Sequence, residues 1–293
     1  MIAEHQIIYH GLVSRFSTLA IDLEIMRASG FDGLEISAAK MRDVLGAGFR
    51  EQELAHILAR VNIPGIGFLL NIERQGDDKH DLMREARALF HLARIAGARG
   101  VQVLTGPVDV RAIEAFATAK ASDLYEGVVR LPRDEQIAVT VGNLTALADE
   151  AADHDLLLYV ESLAWTPLNR LTDQIELIAR ANRDNIRLVV DYWHCYASGD
   201  RPEDVARLDG RMIYGVHICD SLAFGGGIPN ELILRDVPTG KGVLDLREWT
   251  DAVKSTGYKG WWSCELFCRR QQQDNSFIVA KELHTQMRNL ILA

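Results

Sequence analysis

Four side chains that can bind a metal ion each follow an apolar run in the second half of the sequence. They are Glu161, Asp191, His217 and Glu265, which come directly after Val160, Val190, Val216 and Cys264. Three carboxylates and one imidazole form a set of oxygen and nitrogen ligands, without the thiolates that are typical of a structural zinc site. The set predicts one bound divalent ion, with Mn²⁺ expected first and Mg²⁺, Co²⁺ or Zn²⁺ as alternatives.

A single carboxylate after an apolar run is a weak indication of a metal site, because most Asp and Glu side chains lie in contact with solvent, as helix caps or in surface ion pairs. Four such groups in successive runs are different, since carboxylates that meet in an apolar setting repel one another unless a cation or a shared proton compensates. The pattern therefore favours a metal site. His194, three residues after Asp191, is open to three interpretations: a further ligand, a substrate contact or a loop histidine.

Eight short apolar runs, bounded by glycine or polar residues, are predicted to be β-strands. They cover residues 7–13, 33–37, 64–70, 100–105, 156–161, 186–191, 212–217 and 260–267. Several are continuously apolar, which is typical of parallel strands covered on both faces. Amphipathic segments between them are predicted to be helices, at residues 17–29, 50–60, 81–97 with Asp81 as N-cap, 134–153, 173–182, 203–209, 245–257 and 276–291.

A repeated glycine pattern marks turns from a helix into a strand. Gly30, Gly97 and Gly257 each begin the sequence G-x-x-G in front of an apolar run, where the first glycine suits the left-handed conformation that ends a helix. Eight strand–helix units without a Pro-, Ser- or Gly-rich linker predict one α/β domain over residues 1–293, folded as a single (β/α)8 TIM barrel. Such barrels place active sites at the C-terminal ends of their strands, so the four candidate ligands are expected to converge there.

Two irregular segments interrupt the alternation of strands and helices. Residues 106–133 are too long for an ordinary loop and are predicted to add a helix over the barrel mouth. Residues 219–245 are rich in glycine, and we interpret them as an active-site loop. Its three consecutive glycines do not predict a phosphate-binding loop, because GxxxxGK[ST] is missing.

Two further polar residues lie at or near the ends of apolar runs in the first part of the chain. Glu35, at the second run, is open to two interpretations: a substrate contact or the partner of a neighbouring base. His10, at the first run, is predicted to be a hydrogen-bonded histidine of the pocket rather than a catalytic group.

The composition is typical of a globular protein with a sizeable core. Of 293 residues, 48% are hydrophobic and 25% are charged, and the formal net charge is −9. An acidic surface repels nucleic acid and anionic membranes, so neither is an expected partner. The four cysteines lack the spacing of a disulfide framework, and the first residues lack the features of a secretory signal. We therefore expect a cytoplasmic protein, and the sequence leaves a homo-oligomer open.

The candidate ligands lie in longer motifs. Residues 191–194 have the form D-x-x-H, residues 217–220 have the form H-x-x-D, and Arg235 precedes a glycine-containing turn. Together with Glu265, these motifs resemble the xylose-isomerase-like sugar phosphate isomerase/epimerase family, and within it most of all the 2-keto-myo-inositol isomerases. The resemblance runs along most of the chain and is densest in residues 156–268.

This resemblance implies a role for each candidate residue. It implies that one divalent metal ion is held by Glu161, Asp191, His217 and Glu265. It also implies that Glu161 and Glu265 act as acid and base, and that His194 and Arg235 contact substrate oxygens. The implied partner is a small sugar or cyclitol that carries a ketone.

The predicted activity is metal-dependent isomerisation or epimerisation of a keto-sugar or keto-cyclitol. A divalent cation acts as a Lewis acid, and carboxylates on each side of the substrate move a proton through an enediolate. Expulsion of a β-oxygen from that intermediate would make the same site a metal-dependent dehydratase or lyase of a 3-keto-sugar or keto-cyclitol derivative. A non-catalytic sugar-binding barrel is less favoured because the ligand set is intact, and a metal-dependent endonuclease is least favoured because the chain is acidic.

Overall fold

The computed structural model describes residues 4–292. Eight β-strands form one closed barrel in which each strand is parallel to its neighbours and the last pairs with the first. They are β1 Gln6–His10, β2 Gly33–Ser37, β3 Gly65–Leu69, β4 Gly100–Leu104, β5 Leu157–Glu161, β6 Ile186–Asp191, β7 Ile213–Ile218 and β8 Trp261–Cys264. The predicted (β/α)8 TIM barrel is confirmed. Residues 1–3 and 293 lie outside the described residues, so the single domain over 1–293 stays a prediction.

Helices lie in the connections between the strands, and the longer ones pack on the outside of the barrel. They are α1 Leu19–Ser29, α2 Ala38–Gly46, α3 Glu51–Leu58, α4 Asp77–Ala96, α5 Val110–Ala117, α6 Arg133–Ala152, α7 Leu171–Ala181, α8 Tyr192–Ser198, α9 Pro202–Val205, the 3₁₀ turn Gly210–Met212, α10 Glu231–Leu234, α11 Leu246–Ser255, α12 Arg269–Gln272 and α13 Ser276–Ile291. None of the helices in residues 4–292 combines the length and the apolar character that a membrane span requires.

The barrel wall divides the hydrophobic core in two. A large cluster lies between the strands and the helices, and a small one inside the barrel consists of Ile8, Tyr159, Val189 and Trp261. Gly215 makes room for this inner cluster, since a Cβ atom at that position would collide with the indole of Trp261. Each of these four inner residues is followed two positions later in its strand by a polar residue. Side chains two positions apart in a strand point to the same face of the sheet. The inner cluster therefore forms an apolar floor beneath a polar layer at the C-terminal end of the barrel.

The glycines that precede the strands have the predicted conformation. Gly30, Gly97 and Gly257 have φ angles of 80°, 65° and 79°. A residue with a Cβ atom is strained there, which explains why glycine recurs at this turn. The prediction from the G-x-x-G pattern is confirmed.

Several predicted boundaries were wrong. Helix α4 begins at Asp77, so Asp81 is not its N-cap. Asp77 and Asp78 occupy its first turn instead, where the helix dipole favours carboxylates. Strands β1 and β8 end at His10 and Cys264, three residues earlier than predicted. Within the irregular segment 106–133, the predicted additional helix is present as α5, and its position over the mouth stays a prediction.

Candidate metal centre

The C-terminal ends of β5 to β8 bring the four predicted ligands together. Glu161 and Asp191 are the last residues of their strands, His217 is next to last in β7, and Glu265 directly follows β8. One ligand atom from each residue lies within 4.8 Å of the others, and all four side chains are buried. The barrel thus brings together the four predicted ligands, and these four side chains form the candidate metal centre. Metal binding by these residues stays a prediction.

Two buried atoms in this cluster lack a hydrogen-bond partner within residues 4–292. They are Oε1 of Glu161 and Nδ1 of His217, which lie 3.5 Å apart. The same Nδ1 lies 3.9 Å from Oδ2 of Asp191 and 4.0 Å from Oε2 of Glu265. A divalent cation among these atoms would give both unpaired atoms a partner and would offset the repulsion of three carboxylates. The residues present therefore fit one divalent ion.

The pKa shifts of two of these residues indicate where positive charge is favoured. Burial raises the pKa of Glu161 to about 7, against the electrostatic attraction of the nearby His217 ring, and the Glu265 carboxylate raises it further. Burial would lower the pKa of His217, but the carboxylates of Glu35, Glu161 and Glu265 outweigh it and raise that pKa well above its ordinary value. Excess negative charge thus attracts a proton or a cation to this point, and a bound metal would compete with the proton for Nδ1.

Glu35 fixes the orientation of the His217 ring from the side opposite the centre. Nε2 of His217 lies 3.1 Å from a Glu35 oxygen, and Glu35 also accepts hydrogen bonds from Tyr159 (2.8 Å) and Ser263 (2.9 Å). Burial would raise the pKa of Glu35, but the nearby His217 outweighs it, and the pKa is lowered to about 2. The ionised carboxylate holds the proton of His217 on Nε2 and leaves Nδ1 for the centre. Of the two interpretations of Glu35, the structure shows the pairing with a neighbouring base.

Gln102 holds the second oxygen of Glu161. Its Nε2 donates to Oε2 of Glu161 at 2.6 Å, and both side chains are buried. Oε1 is thereby the oxygen that faces the centre. The sequence contained one signal for this residue, a single polar side chain inside the apolar run Val101–Leu104.

His194 presents one ring nitrogen to the centre. Its Nδ1 accepts the backbone N–H of Ala164 at 3.1 Å, and its Nε2 lies 4.0 Å from Oε1 of Glu161. Burial lowers the pKa of His194 to about 4, against the nearby Asp191 carboxylate, so the ring is neutral near pH 7. A neutral ring with Nδ1 as acceptor carries its proton on Nε2. His194 can therefore donate to a substrate oxygen beside Glu161, and its contact with substrate stays a prediction.

Arg235 contacts the carboxylates of the centre. It is 2% exposed, it donates from Nη2 to Oε2 of Glu265 at 2.8 Å, and the same nitrogen lies 3.3 Å from Oδ2 of Asp191. Its guanidinium lies over the ring of Phe267, 4.1 Å from the centroid. Burial would raise the pKa of Glu265, but Arg235 and then His217 hold it well below its ordinary range. The structure thus pairs Arg235 with Glu265, which favours the ionised form of that carboxylate, and the predicted contact with substrate oxygens stays a prediction.

A cavity of about 410 Å³ opens beside the centre. Its polar lining includes His10, Arg15, Glu35, Lys40, Gln102 and Glu265, and the exposed rings of Phe16 and Phe68 stand at its edge. The charge of Lys40 is neutralised by Asp22 at 2.7 Å. A larger groove of about 900 Å³ lies outside the barrel between α1 and α13, away from the four candidate ligands. The smaller cavity is therefore the one placed to hold a substrate.

A model of a known family matches most of the chain. The model described as xylose isomerase-like TIM barrel matches residues 23–288. The chain belongs to this family. The family resemblance predicted from the motifs is thereby confirmed.

Individual proteins of known name are similar to this chain over most of its length. An inosose isomerase of Bacillus licheniformis is 24% identical over 264 residues, which cover 86% of this chain and 84% of that protein. A 3-dehydroshikimate dehydratase of Pseudomonas aeruginosa is 26% identical over 260 residues, which cover 87% of this chain and 37% of that protein. A crystal structure of IolI protein with a bound zinc atom has a TM-score of 0.82 at 21% identity and covers 98% of both chains, which shows the shared fold.

In this family member, Asp220 of the H-x-x-D motif organises the loop 219–245. Its carboxylate accepts four backbone N–H groups, from Ser221 (2.8 Å), Gly240 (2.9 Å), Gly242 (2.8 Å) and Leu244 (3.2 Å). Gly242 has to be small, because a Cβ atom there would collide with the carboxylate. The predicted active-site loop is thus held to the end of β7, on the same segment as Arg235.

Replacing Asp220 with Ala should loosen this loop. Four backbone donors would lose their acceptor, so we expect the free energy of unfolding to fall by about 1–3 kcal/mol and proteolysis within 219–245 to become faster. Urea denaturation and limited proteolysis measure these effects. Asp209→Ala is the matched control, since Asp209 caps the 3₁₀ turn and pairs with the exposed side chain of Arg211 within that same turn, outside the loop 219–245. Equal behaviour of the two variants would contradict the role of Asp220.

Purified protein should take up close to one divalent ion per chain. His217 offers only Nδ1, because its Nε2 is paired with Glu35, so the cluster provides one site. Removal of the ion should leave the barrel folded, since its core does not depend on the rim. Elemental analysis after dialysis against Mn²⁺, Co²⁺, Mg²⁺ or Zn²⁺ measures the content, and circular dichroism follows the fold. A folded preparation that takes up none of them would contradict the prediction.

Proposed function

We propose that this protein is a divalent-metal-dependent isomerase or epimerase of a keto-sugar or keto-cyclitol. The observation that carries this proposal is the buried set of three carboxylates and one imidazole beside a cavity that is open to a small molecule. The similarity to proteins named inosose isomerase supports a substrate of this class. The chain is accordingly an enzyme of the sugar isomerase/epimerase type.

The reaction moves one proton between a carboxylate and the substrate. A carboxylate takes a proton from the carbon next to the ketone, the electron pair of the C–H bond forms a C=C bond, and the carbonyl oxygen becomes anionic. Return of the proton to the former carbonyl carbon gives an isomer, provided that the hydroxyl on the neighbouring carbon passes its proton to the former carbonyl oxygen and its own oxygen becomes the new carbonyl. Return of the proton to the original carbon from the opposite face, with the carbonyl restored, gives an epimer. A divalent ion, when bound, supplies a Lewis acid for this negative charge.

The surroundings of the two glutamates prepare them for proton transfer. Arg235 keeps Glu265 ionised, so this carboxylate can accept a proton near pH 7. Gln102 holds one oxygen of Glu161 and leaves the other facing the centre. His194 can donate its Nε2 hydrogen to a substrate oxygen beside Glu161. We therefore propose Glu161 and Glu265 as the acid and base on the two sides of the substrate.

The metal and the cellular location are part of the same proposal. We infer that Mn²⁺ is the resident ion, because three carboxylates and one imidazole suit a harder cation than a thiolate-rich set does. The bound zinc named for IolI protein makes Zn²⁺ the first ion to compare with it. We also propose that the protein is cytoplasmic and acts on a small molecule.

Hydrogen exchange in D₂O tests the proposed activity. Metal-loaded protein is incubated with a panel of ketoses and keto-cyclitols that includes 2-keto-myo-inositol, and deuterium at the carbon next to the ketone is followed by NMR. We expect incorporation that stops when the metal is chelated. Absence of exchange across the panel would contradict the proposal.

A dehydratase is the second candidate, because one curated relative of that name is 26% identical over 87% of this chain. The same enediolate would expel a hydroxyl group from the β-carbon, which leaves as water after protonation. The product would then be an unsaturated ketone instead of an isomer. Mass spectrometry of the product separates the two candidates, since only dehydration changes the mass by one water.

A further inference from the structure

His10, the last residue of β1, is held in one tautomer by the backbone. The N–H of Leu12 donates to its Nδ1 at 3.2 Å. A nitrogen that accepts a hydrogen bond carries no proton, so the ring is neutral and its hydrogen is on Nε2.

The Nε2 hydrogen of His10 lies at the wall of the cavity beside the centre. Its nearest charged oxygens are Oε2 of Glu35 at 3.6 Å and Oε1 of Glu265 at 3.9 Å. Both distances exceed that of an ordinary N–H···O hydrogen bond. The Glu35 carboxylate already accepts hydrogen bonds from Tyr159 and Ser263 and is paired with His217. The donor on His10 is therefore available to a molecule in the cavity.

His194 has the same arrangement beside another carboxylate of the centre, Glu161. A backbone N–H, from Ala164, occupies its Nδ1, and its Nε2 points toward Glu161. Two neutral imidazoles thus flank the site, His194 beside Glu161 and His10 beside Glu265. Because the backbone fixes both rings, neither has to reorganise when a substrate oxygen arrives.

We propose that His10 is a substrate-binding residue, whose Nε2–H donates a hydrogen bond to a hydroxyl or carbonyl oxygen of the substrate beside Glu265. This inference rests on the proposed function. It requires a substrate with oxygens on both sides of the carbon that exchanges its proton, one for His10 and one for His194. A polyhydroxylated ketone meets this requirement, whereas a ketone with a single neighbouring hydroxyl does not.

Two substitutions separate the donor of His10 from its structural contact. His10→Asn keeps an acceptor near the position of Nδ1 for Leu12 but removes the donor at Nε2. His10→Gln places an amide donor near the position of Nε2. His91→Gln is the matched control, because His91 is exposed and pairs with Glu51 on the outside of the barrel.

The variants are compared as metal-loaded protein by deuterium exchange, on the member of the panel that wild-type protein exchanges fastest, beginning with 2-keto-myo-inositol. We expect His10→Asn to lower kcat/KM at least about tenfold, the effect of losing one hydrogen bond to the substrate, with metal content unchanged. His10→Gln should recover part of this loss, and His91→Gln should match wild type. The ¹⁵N chemical shifts of histidine-labelled protein should also show the hydrogen of His10 on Nε2.

The outcomes distinguish this inference from the function on which it rests. If wild-type protein exchanges a panel member and His10→Asn stays within about twofold of it, the role of His10 is overturned while the proposed function stands. Loss of metal from His10→Asn, or a hydrogen on Nδ1 in the ¹⁵N spectrum, would also overturn that role. If wild-type protein exchanges no panel member, the proposed function falls and this role of His10 falls with it.

Discussion

Replacing either Glu161 or Glu265 with Gln should lower turnover at least ~100-fold while part of the bound metal is retained. Gln keeps the volume of the side chain and one coordinating oxygen but cannot accept a proton from carbon. A general acid or base typically contributes a factor of this size. The measurement is loss of label from the substrate carbon in D₂O, made together with elemental analysis of each variant.

Two further variants are compared with the two Gln variants, one as a control and one to test a residue predicted to contact only substrate. Glu73→Gln is the matched control, since Glu73 is a buried carboxylate that accepts the backbone N–H of Gly106 instead of facing the centre. Gln keeps a side-chain oxygen that can accept the N–H of Gly106, so exchange should stay near that of wild type. His194→Ala should retain the metal and raise KM, because His194 is predicted to contact only the substrate.

Normal exchange in one of the two Gln variants, with metal bound, would show that this carboxylate is only a ligand. Normal exchange in both would place the base elsewhere. Glu35 would then be the next candidate to test, since it also lines the cavity.

The sequence predicted the barrel because its strands are continuous apolar runs between clear boundaries. β2 and β6 have the predicted bounds, 33–37 and 186–191. The ends of β1 and β8 were misplaced because the chain stays apolar after it leaves the barrel: Val13 and Leu266 are buried in the loops that follow. A run of apolar residues indicates that a segment is buried, but it does not show whether that segment is a strand or a buried loop.

Two of the helices that were not predicted, α2 and α8, follow a strand directly, with no turn between. Ser37 ends β2 and also caps α2, accepting the N–H of Lys40, and Asp191 ends β6 and also caps α8. Asp191 accepts the N–H of His194 at 2.7 Å, so the D-x-x-H motif is a helix cap as well as a pair of site residues. Turn residues usually mark such a boundary, and none is present here.

The four candidate ligands could be found from strand ends alone, whereas the residues that orient them could not. Gln102, Tyr159 and Ser263 are single polar residues inside apolar runs, and such residues have many structural roles. Two of them lie two positions before a predicted ligand, Tyr159 before Glu161 and Ser263 before Glu265, so they share its face of the sheet. Their partner Glu35 comes from a distant strand, and only the closed barrel brings it to them.

Replacing Glu35 with Gln should weaken metal binding about 10- to 100-fold, the usual effect of losing a carboxylate partner of a histidine ligand. The ionised carboxylate now accepts three hydrogen bonds, from His217, Tyr159 and Ser263. A neutral amide has one acceptor oxygen and an NH₂ group that would face another donor, so the His217 ring loses its fixed orientation. Titration of the metal-free protein with Zn²⁺ or Co²⁺ against a competing chelator measures the affinity.

Ser263→Ala is the control for this prediction. It removes one donor to Glu35 and leaves the bond between Glu35 and His217 in place, so metal affinity should stay within a few-fold of wild type. If Glu35→Gln binds metal as tightly as wild type, the orientation of His217 does not depend on Glu35. If both variants weaken binding equally, loss of packing around the ring explains the effect. Only a large effect that is confined to Glu35→Gln shows that the negative charge of Glu35 keeps Nδ1 of His217 available to the metal.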